Sequence, residues 1–285
     1  MELSTGIAAA FGASAVLALL VGHRVIQRLV EPRSPLGASL GGDNTARSIR
    51  GVGDVLAVFL IGPAIVKGVV HGEDLRRDAM MTAAFAALGL ALLELAGFLG
   101  VRMLLRGRLN AALDRDNKAA GVAAACHFVA TGVLVSRAVA GSDLRGAGLS
   151  LAFFAIALVT QQAMMILFRA LTTYDDAEQI EGENLAAAVS WGGLSIALAI
   201  VLARALEGDF EGWRVSLAGF GKIALAALAF YPLRQIVVQG LVLGRLPTVR
   251  GGALDVAIGR DRKVGVAALE AASYLGAAIA VSLLA

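Results

Sequence analysis

The sequence predicts an all-α polytopic membrane protein with eight transmembrane helices arranged as four parallel two-helix repeats. Of its 285 residues, 58% are apolar and 16% are charged, whereas soluble domains contain roughly 45–50% apolar and about 25% charged residues. Apolar runs long enough to cross a hydrocarbon core of ~30 Å recur along the whole chain. A short asparagine motif recurs at the start of every second run. These observations favour a single integral membrane domain.

The apolar runs and their polar flanks define eight predicted spans. They lie near residues 4–28, 44–70, 76–104, 117–139, 146–171, 184–206, 212–238 and 262–284. Backbone groups in lipid must be satisfied within the protein, so a spanning segment is either a helix or part of a closed barrel. The alternating segments of ~10 residues that form barrel strands do not occur in this sequence. We therefore predict helices for all eight spans.

The connections between the spans indicate the repeat. Three short connections, at 71–75, 141–144 and 208–210, each place an acid shortly after a glycine, as at a helix start. The asparagine motif is Asp43-Asn44, Asp116-Asn117 and Glu183-Asn184, with Asp261-Arg262 as a degenerate fourth copy. The predicted units are 1–71, 72–140, 141–207 and 208–285. Because each unit has two spans, all four copies share one orientation in the membrane, unlike inverted repeats.

The motif also resembles a known family. The segments DNTARS, DNKAAG and ENLAAA, with an arginine closing the preceding helix in GVRMLL (100–105) and ILFRAL (166–171), are similar to the bacterial inner-membrane family catalogued as domain of unknown function 350. The resemblance covers the chain as four tandem copies, of which the fourth departs at Arg262. It implies a polytopic inner-membrane protein linked to envelope stress or ion handling, and it implies no established activity.

The distribution of charge predicts topology and partners. Most of the 25 lysine and arginine residues lie in or beside the long connections, so these should face the cytoplasm, with both termini outside. Basic residues at span ends are typical of topology rather than of nucleic-acid binding. The expected partners are the lipid bilayer, a cytoplasmic protein and a second copy of the chain, with closure by the single chain as the alternative. The lone Cys126 excludes an intrachain disulfide, and no cofactor is expected.

Two interpretations of the asparagine motif remain open. Asn and Asp side chains accept hydrogen bonds from the free N–H groups at a helix start. All the motif copies could therefore be simple caps: Asp43-Asn44, Asp116-Asn117, Glu183-Asn184 and Asp261. Alternatively, the four motif-bearing ends converge on an axis and form a polar vestibule for an ion or small solute. The small residues that follow each motif favour close helix packing in lipid under either interpretation.

Ionisable residues inside the spans provide candidate functional residues, because they are costly in hydrocarbon. Asp54 lies ten residues after Asn44 and His127 ten residues after Asn117, so the repeat places them at the same depth. Such a pair could relay protons or bind a cation, or could form a structural hydrogen bond between helices.

Three further polar residues complete the predicted pathway. Glu94 and Gln161 occupy matching positions, each eight residues before an arginine, at Arg102 and Arg169, and Glu270 lies in the last span. This excess of acids favours a cation or proton route. The acidic connection at 174–183 is read as a solvated face, with a divalent cation or a partner protein as the alternative.

These residues favour a small ion or proton channel or a transporter component. The alternative is a non-transporting membrane scaffold that recruits envelope-stress or lipid-homeostasis partners. Metalloprotease, nucleophile-elbow and phosphate-loop motifs are not found, which argues against an enzyme.

Overall fold

A computed structural model describes residues 5–30, 44–139, 144–208 and 210–284, and all regular structure in these ranges is helical. Eight long helices follow one another along the chain: α1 (Thr5–Val30), α2 (Thr45–Val69), α3 (Leu75–Leu104), α4 (Lys118–Ala138), α5 (Leu144–Ala170), α6 (Leu185–Ala205), α7 (Trp213–Val242) and α8 (Val264–Leu284). Within the described residues, each of the eight is long and apolar enough to cross a membrane. The predicted fold class is therefore confirmed, and the protein is a multi-pass membrane protein.

Helix α7 is a composite helix. It is α-helical over Trp213–Ala226, narrows to a 3₁₀ turn at Ala227–Ala229, and ends as a wide π-helix over Arg234–Val242. The irregular region contains Pro232, which has no backbone N–H to donate. π-helical turns are rare and are found most often at functional positions. Here the π-helix carries the span past the predicted end near residue 238.

Three short helical segments, which the sequence did not predict, lie in the long connections. They are Leu109–Asp114, Asp176–Glu181, and Ala253–Asp255 continued by a π-turn at Val256–Arg260. Each comes directly before an even-numbered long helix. They therefore lie on the side of the protein where α4, α6 and α8 begin.

Helices α4 and α6 form the centre of the protein. Helices α2, α4, α6 and α8 pack side by side in that order, and we call them the inner row. The apolar windows of α4 and α6 are 67% and 78% buried within the protein, whereas those of α1 and α7 are each 22% buried. The odd-numbered helices thus lie outside this row, where lipid would cover their apolar faces.

Small residues allow the inner row to pack closely. A Cβ added to Gly53 of α2 would lie 2.5 Å from the carbonyl oxygen of Ala125 in α4. Between α4 and α6, a Cβ on Gly192 would lie 2.7 Å from Cβ of Cys126. Apolar burial provides little drive between helices in lipid, so such close van der Waals contact holds the helices together.

An asparagine lies at the N-cap position of the first three inner helices. Asn44 accepts a hydrogen bond from the backbone N–H of Arg47, and Asn117 accepts one from Ala120. Asn184 accepts from the N–H groups of both Ala186 and Ala187. These bonds satisfy donors that an uncapped helix would leave free.

Each cap asparagine also bonds to the connection before the next inner helix. Its side-chain amide donates to a backbone carbonyl there. Asn44 donates to Leu113 at 2.7 Å and Asn117 to Ile180 at 2.8 Å, each four residues before the next motif asparagine, and Asn184 donates to Ile258 at 2.9 Å, five residues before Lys263 at the start of α8. The bonds join the starts of neighbouring helices, so the inner row is parallel. The shared register of the first two bonds agrees with a two-helix unit, which stays a prediction.

The acids of the motif differ from simple caps. Asp116 and Glu183 adopt left-handed backbone angles, with φ of 57° and 63°, and the Asp116 carboxylate accepts a hydrogen bond from the N–H of Ala46 at 2.7 Å. Asp43 lies outside the described residues. These acids therefore shape the turn that leads into each helix, and Asp116 also contacts the neighbouring inner helix.

The fourth copy is displaced by one residue. The left-handed residue there is Arg262, with φ of 54°, and α8 begins at Val264. The π-turn before it accommodates one extra residue. Asp261 lies three residues before α8, where hydrogen bonds from Arg260 and Lys263 lower the pKa of its carboxyl. Arg262 rather than Asp261 thus occupies the position of Asp116.

Candidate functional site

The first of two buried ionic clusters joins α1, α2 and α3. We call it the histidine cluster, and it consists of His23, Gln27, Arg50, Asp54 and Glu94. The Nδ1 atom of His23 is hydrogen-bonded to the Glu94 carboxylate, and its Nε2 atom lies 3.3 Å from Oδ2 of Asp54. Gln27 donates to the same Asp54 oxygen at 2.9 Å. The imidazole therefore lies between two carboxylates from different helices.

The histidine cluster is not evenly buried. The side chains of His23 and Asp54 are each 4% exposed, whereas that of Glu94 is 19% exposed. Arg50 approaches Asp54 from one turn away, at 3.9 Å, and its guanidinium also lies over the ring of Phe128. The second Asp54 oxygen, Oδ1, is buried without a hydrogen-bond partner among the described residues. Glu94 is thus the more accessible end of the cluster and Asp54 the enclosed end.

The predicted pairing of Asp54 with His127 is wrong, because the histidine that lies beside Asp54 is His23. The Nε2 atom of His127 is 3.2 Å from the carbonyl oxygen of Ala96, and its ring packs against Trp191 with centroids 6.0 Å apart. Within the described part of the chain, none of the polar contacts of Asp54 involves His127. Equal depth in the repeat does not bring the two residues together, because each faces a different outer helix.

The second cluster lies in the other half of the chain. We call it the arginine cluster, and it consists of Arg234, Asp255, Glu270 and Tyr274. The Arg234 guanidinium donates to both carboxylates, and its side chain is 1% exposed. Tyr274 donates to Glu270 at 3.1 Å, and Asp255 also accepts from the backbone N–H of Thr173 at 2.6 Å. These contacts join α7, α8, the connection between α7 and α8, and the connection that follows α5.

An ion pair lies beside the arginine cluster at the end of α5. Arg169 is 3.2 Å from Oδ2 of Asp176, and its other nitrogens lie 3.4 Å from the hydroxyls of Tyr174 and Ser190. Burial raises the pKa of Asp176 to about 6, although the Arg169 charge opposes that rise. Burial likewise raises the pKa of the Tyr174 hydroxyl. The acidic connection is therefore partly buried rather than a wholly solvated face.

The remaining predicted pathway residue, Gln161, is separate from both clusters. Its side-chain amide is fully buried and donates to the carbonyl oxygen of Ser195 in α6 at 3.0 Å. Its oxygen, Oε1, has no hydrogen-bond partner among the described residues. The structure thus brings Asp54 and Glu94 together, places Glu270 in the other cluster, and leaves His127 and Gln161 as individual interhelical contacts.

Two central residues could not be recognised from the sequence. His23 lies next to Arg24 at the end of an apolar run, where polar residues normally mark a membrane boundary. Arg234 lies just before a long connection, where basic residues normally indicate topology, yet it is buried inside the protein. The only sequence signal for either was its closeness to a span end. In the part of the chain that the structure describes, no group of three or more His, Cys, Asp or Glu residues is arranged to hold a metal.

The eight apolar helices and their two buried ionic clusters define a polytopic, all-helical membrane protein. The family model described as Domain of Unknown Function (DUF350) matches residues 2–139 and 142–284, so the chain belongs to this family. Each matched segment contains four of the eight long helices, and we refer to the segments as the first and second halves. The model thus matches two segments rather than the predicted four copies. No curated protein and no solved structure matches the chain.

Proposed function

We propose that the protein is a proton-linked transport component of the bacterial inner membrane, and that the histidine cluster is its proton-binding site. The observation that carries this proposal is the position of the His23 imidazole between the carboxylates of Asp54 and Glu94. Ionisable residues within membrane spans mark ion or proton pathways by default. Histidine is the side chain whose unperturbed pKa lies nearest to physiological pH.

The geometry provides a route for one proton. Glu94, the more exposed carboxylate, exchanges a proton with the surroundings of the cluster. His23 accepts the proton on Nδ1 and releases one from Nε2, and the enclosed Asp54 receives it. Glu94 is hydrogen-bonded to Nδ1, and Asp54 lies 3.3 Å from Nε2. The amide nitrogen of Gln27 is 2.7 Å from the same Nε2 atom, so the second transfer requires the Gln27 side chain to turn away, but no helix has to move. The proton's arrival leaves Asp54 neutral and weakens its attraction to Arg50.

The test measures proton flux across vesicles that contain the purified protein. A pH-sensitive dye trapped inside reports acidification after an imposed pH gradient. We expect Asp54→Asn combined with Glu94→Gln to abolish the flux, and His23→Gln alone to reduce it strongly. Glu73→Gln, at an exposed position in a short connection, is the matched control and should leave flux unchanged. Unchanged flux in a folded double variant would overturn the proposal.

A second measurement addresses protonation directly and does not depend on flux. Infrared difference spectra between acidic and neutral pH should contain a carboxylic-acid band that disappears in Asp54→Asn. A folded protein without such a band would contradict proton binding at this site. The two experiments together separate loss of proton binding from simple misfolding.

The alternative function is a non-transporting scaffold for envelope-stress or lipid-homeostasis partners. Mutual pairing within the histidine cluster favours it, because paired charges can serve stability alone. A scaffold would give no protein-dependent flux, and the infrared band would be missing as well.

The positive charge of the long connections supports a cytoplasmic position for them, with both termini outside. A cysteine introduced at Met1 or Ala285 should therefore react with a membrane-impermeant reagent added to intact cells. The expected partners in this orientation are the surrounding lipid, a second copy of the chain and a cytoplasmic protein bound to the long connections. Labelling only after the cells are broken would reverse the assignment.

A further inference from the structure

A cavity of about 570 Å³ lies where the two halves meet, and we call it the junction cavity. Its wall combines the end of α3 from the first half with α5, the following connection and part of α6 from the second half. The volume is in the range of about 300–1,000 Å³ that small-molecule sites occupy. The proton route proposed for the histidine cluster does not pass through this cavity.

The polar part of the wall has an excess of positive charge. Its charged residues are Arg106, Arg169, Arg250, Asp175 and Asp176. Two of the arginines are paired, since Arg106 donates to Asp175 at 2.8 Å and Arg169 lies 3.2 Å from Asp176. The exposed Arg250 takes part in none of the ion pairs found among the described residues. A guanidinium of this kind is suited to a phosphate, which it can bind through two parallel hydrogen bonds.

The remaining wall is apolar and opens towards the lipid side of the protein. Met103 of α3 and Ile166 of α5 line the cavity and are 64% and 67% exposed. Trp191 of α6 forms the inner wall and is 6% exposed. Because α3 ends at Leu104 and α5 at Ala170, the cavity lies at the membrane–water boundary. A wholly soluble anion would leave these apolar side chains uncovered.

We propose that the junction cavity binds an anionic phospholipid, with its headgroup phosphate at Arg250 and Arg106 and its acyl chain along Met103 and Ile166. Basic pockets between transmembrane helices are a recognised setting for anionic headgroups. The ligand would contact both halves at once. Its binding would therefore fasten the first half to the second at the level of the headgroups.

The two tryptophans of the chain provide a direct test. Trp191 lines the cavity, whereas Trp213 is 49% exposed at the start of α7. In Trp213→Phe, fluorescence reports only on Trp191. The full chain is placed in phosphatidylcholine vesicles, and brominated phosphatidylglycerol is added as a contact quencher. We expect saturable quenching that is stronger than with brominated phosphatidylcholine at the same mole fraction.

Substitution of Arg250 tests whether the lipid binds in the junction cavity. Arg250→Ala in the Trp213→Phe background should weaken the apparent affinity for phosphatidylglycerol about fivefold, as expected for one arginine near a headgroup. Arg245→Ala changes an exposed arginine in the same connection that does not line the cavity, and it should have no such effect. In Trp191→Phe, the remaining Trp213 should be quenched equally by both lipids.

Two outcomes would overturn the proposal. Equal quenching of Trp191 by the two brominated lipids would show that the cavity does not select an anionic lipid. Displacement of phosphatidylglycerol by glycerol phosphate or inorganic phosphate at comparable concentrations would indicate a soluble phosphate site instead. The lipid proposal requires displacement by these soluble anions to be much weaker than displacement by another anionic lipid.

Discussion

Among the described residues, each half contains one of the two buried clusters, and these differ in the side chain that joins their carboxylates. His23 joins Asp54 and Glu94 in the first half, whereas Arg234 joins Asp255 and Glu270 in the second. A histidine can gain or lose its proton near neutral pH, but an arginine remains charged. The same fold therefore joins two buried carboxylates through a side chain that can lose its charge in one half, and through one that cannot in the other.

The largest expected loss of stability follows removal of the permanent charge of Arg234. Arg234→Leu leaves two buried carboxylates without their cation, and losing one partner of a buried ion pair costs about 3–5 kcal/mol. The free energy of unfolding in detergent should fall by that amount. Arg245→Leu, at an exposed position, is the control and should change it little. A loss below about 1 kcal/mol would mean that the arginine cluster contributes no more than a surface ion pair.

Removing His23 should lower the free energy of unfolding by less. In His23→Leu, Asp54 keeps the hydrogen bond from Gln27 and the nearby Arg50, so we expect a loss of about 1–3 kcal/mol, as for a buried polar group left without one partner. The same unfolding measurement, repeated at several pH values, should show a weaker pH dependence than in the unchanged protein. If His23→Leu were as destabilising as Arg234→Leu, the distinction between the two clusters would fail.

The asparagine caps offer a smaller comparison between the halves. Asn184→Ala removes a fully buried cap and its bond to Ile258, so a loss of about 0.5–2 kcal/mol is expected. Asn44 is only half-buried, and Asn44→Ala should lie at the lower end of this range. Thermal unfolding of both variants, with the exposed Asn110→Ala as a control, would measure the difference. A larger effect at Asn44 would reverse the order.

The smallest effect concerns Asp176 in the wall of the junction cavity. Its pKa is raised from 3.8 to about 6, so between these values the folded protein keeps a proton that the unfolded chain has released. The free energy of unfolding should therefore fall as pH rises through this interval. The size of this fall depends on the charged groups that act on the Asp176 carboxyl, which are Arg169, Asp175, Asp255 and Glu270.

Protonation of Asp176 also removes one negative charge from the cavity wall. Anionic lipid should therefore quench Trp191 more strongly at about pH 5 than at about pH 7. Asp176→Asn should abolish this pH dependence. Stronger quenching at the higher pH would contradict the assignment.

The sequence was sufficient to predict the spans but not the neighbours of each polar residue. Apolar length alone located α4, predicted at 117–139 and found at Lys118–Ala138. It could not predict the short helices in the connections, because Leu109–Asp114 and Asp176–Glu181 are each six residues long. Helices of this length depend on tertiary contacts for their stability.

The site was predicted in part for the same reason. Cost in hydrocarbon singled out Asp54 and Glu94 one by one, since both lie within the spans, but repeat spacing matched Asp54 with His127 and Glu94 with Gln161 rather than with each other. Their actual histidine comes from α1, and only the packing of α1 against α2 and α3 reveals it. Repeat spacing describes depth along a helix, but it contains no information about which faces meet.

The close backbone contacts of the inner row also bear on how the protein could move. Where glycine and alanine bring backbones together, as at Gly193 against Ala271, a helix cannot slide without a clash, because packed interfaces are not continuously deformable. We therefore expect α2, α4, α6 and α8 to behave as one rigid body. Conformational change would then belong to the outer helices, and the histidine cluster, which links two of them to α2, lies on the hinge between the rigid and moving parts.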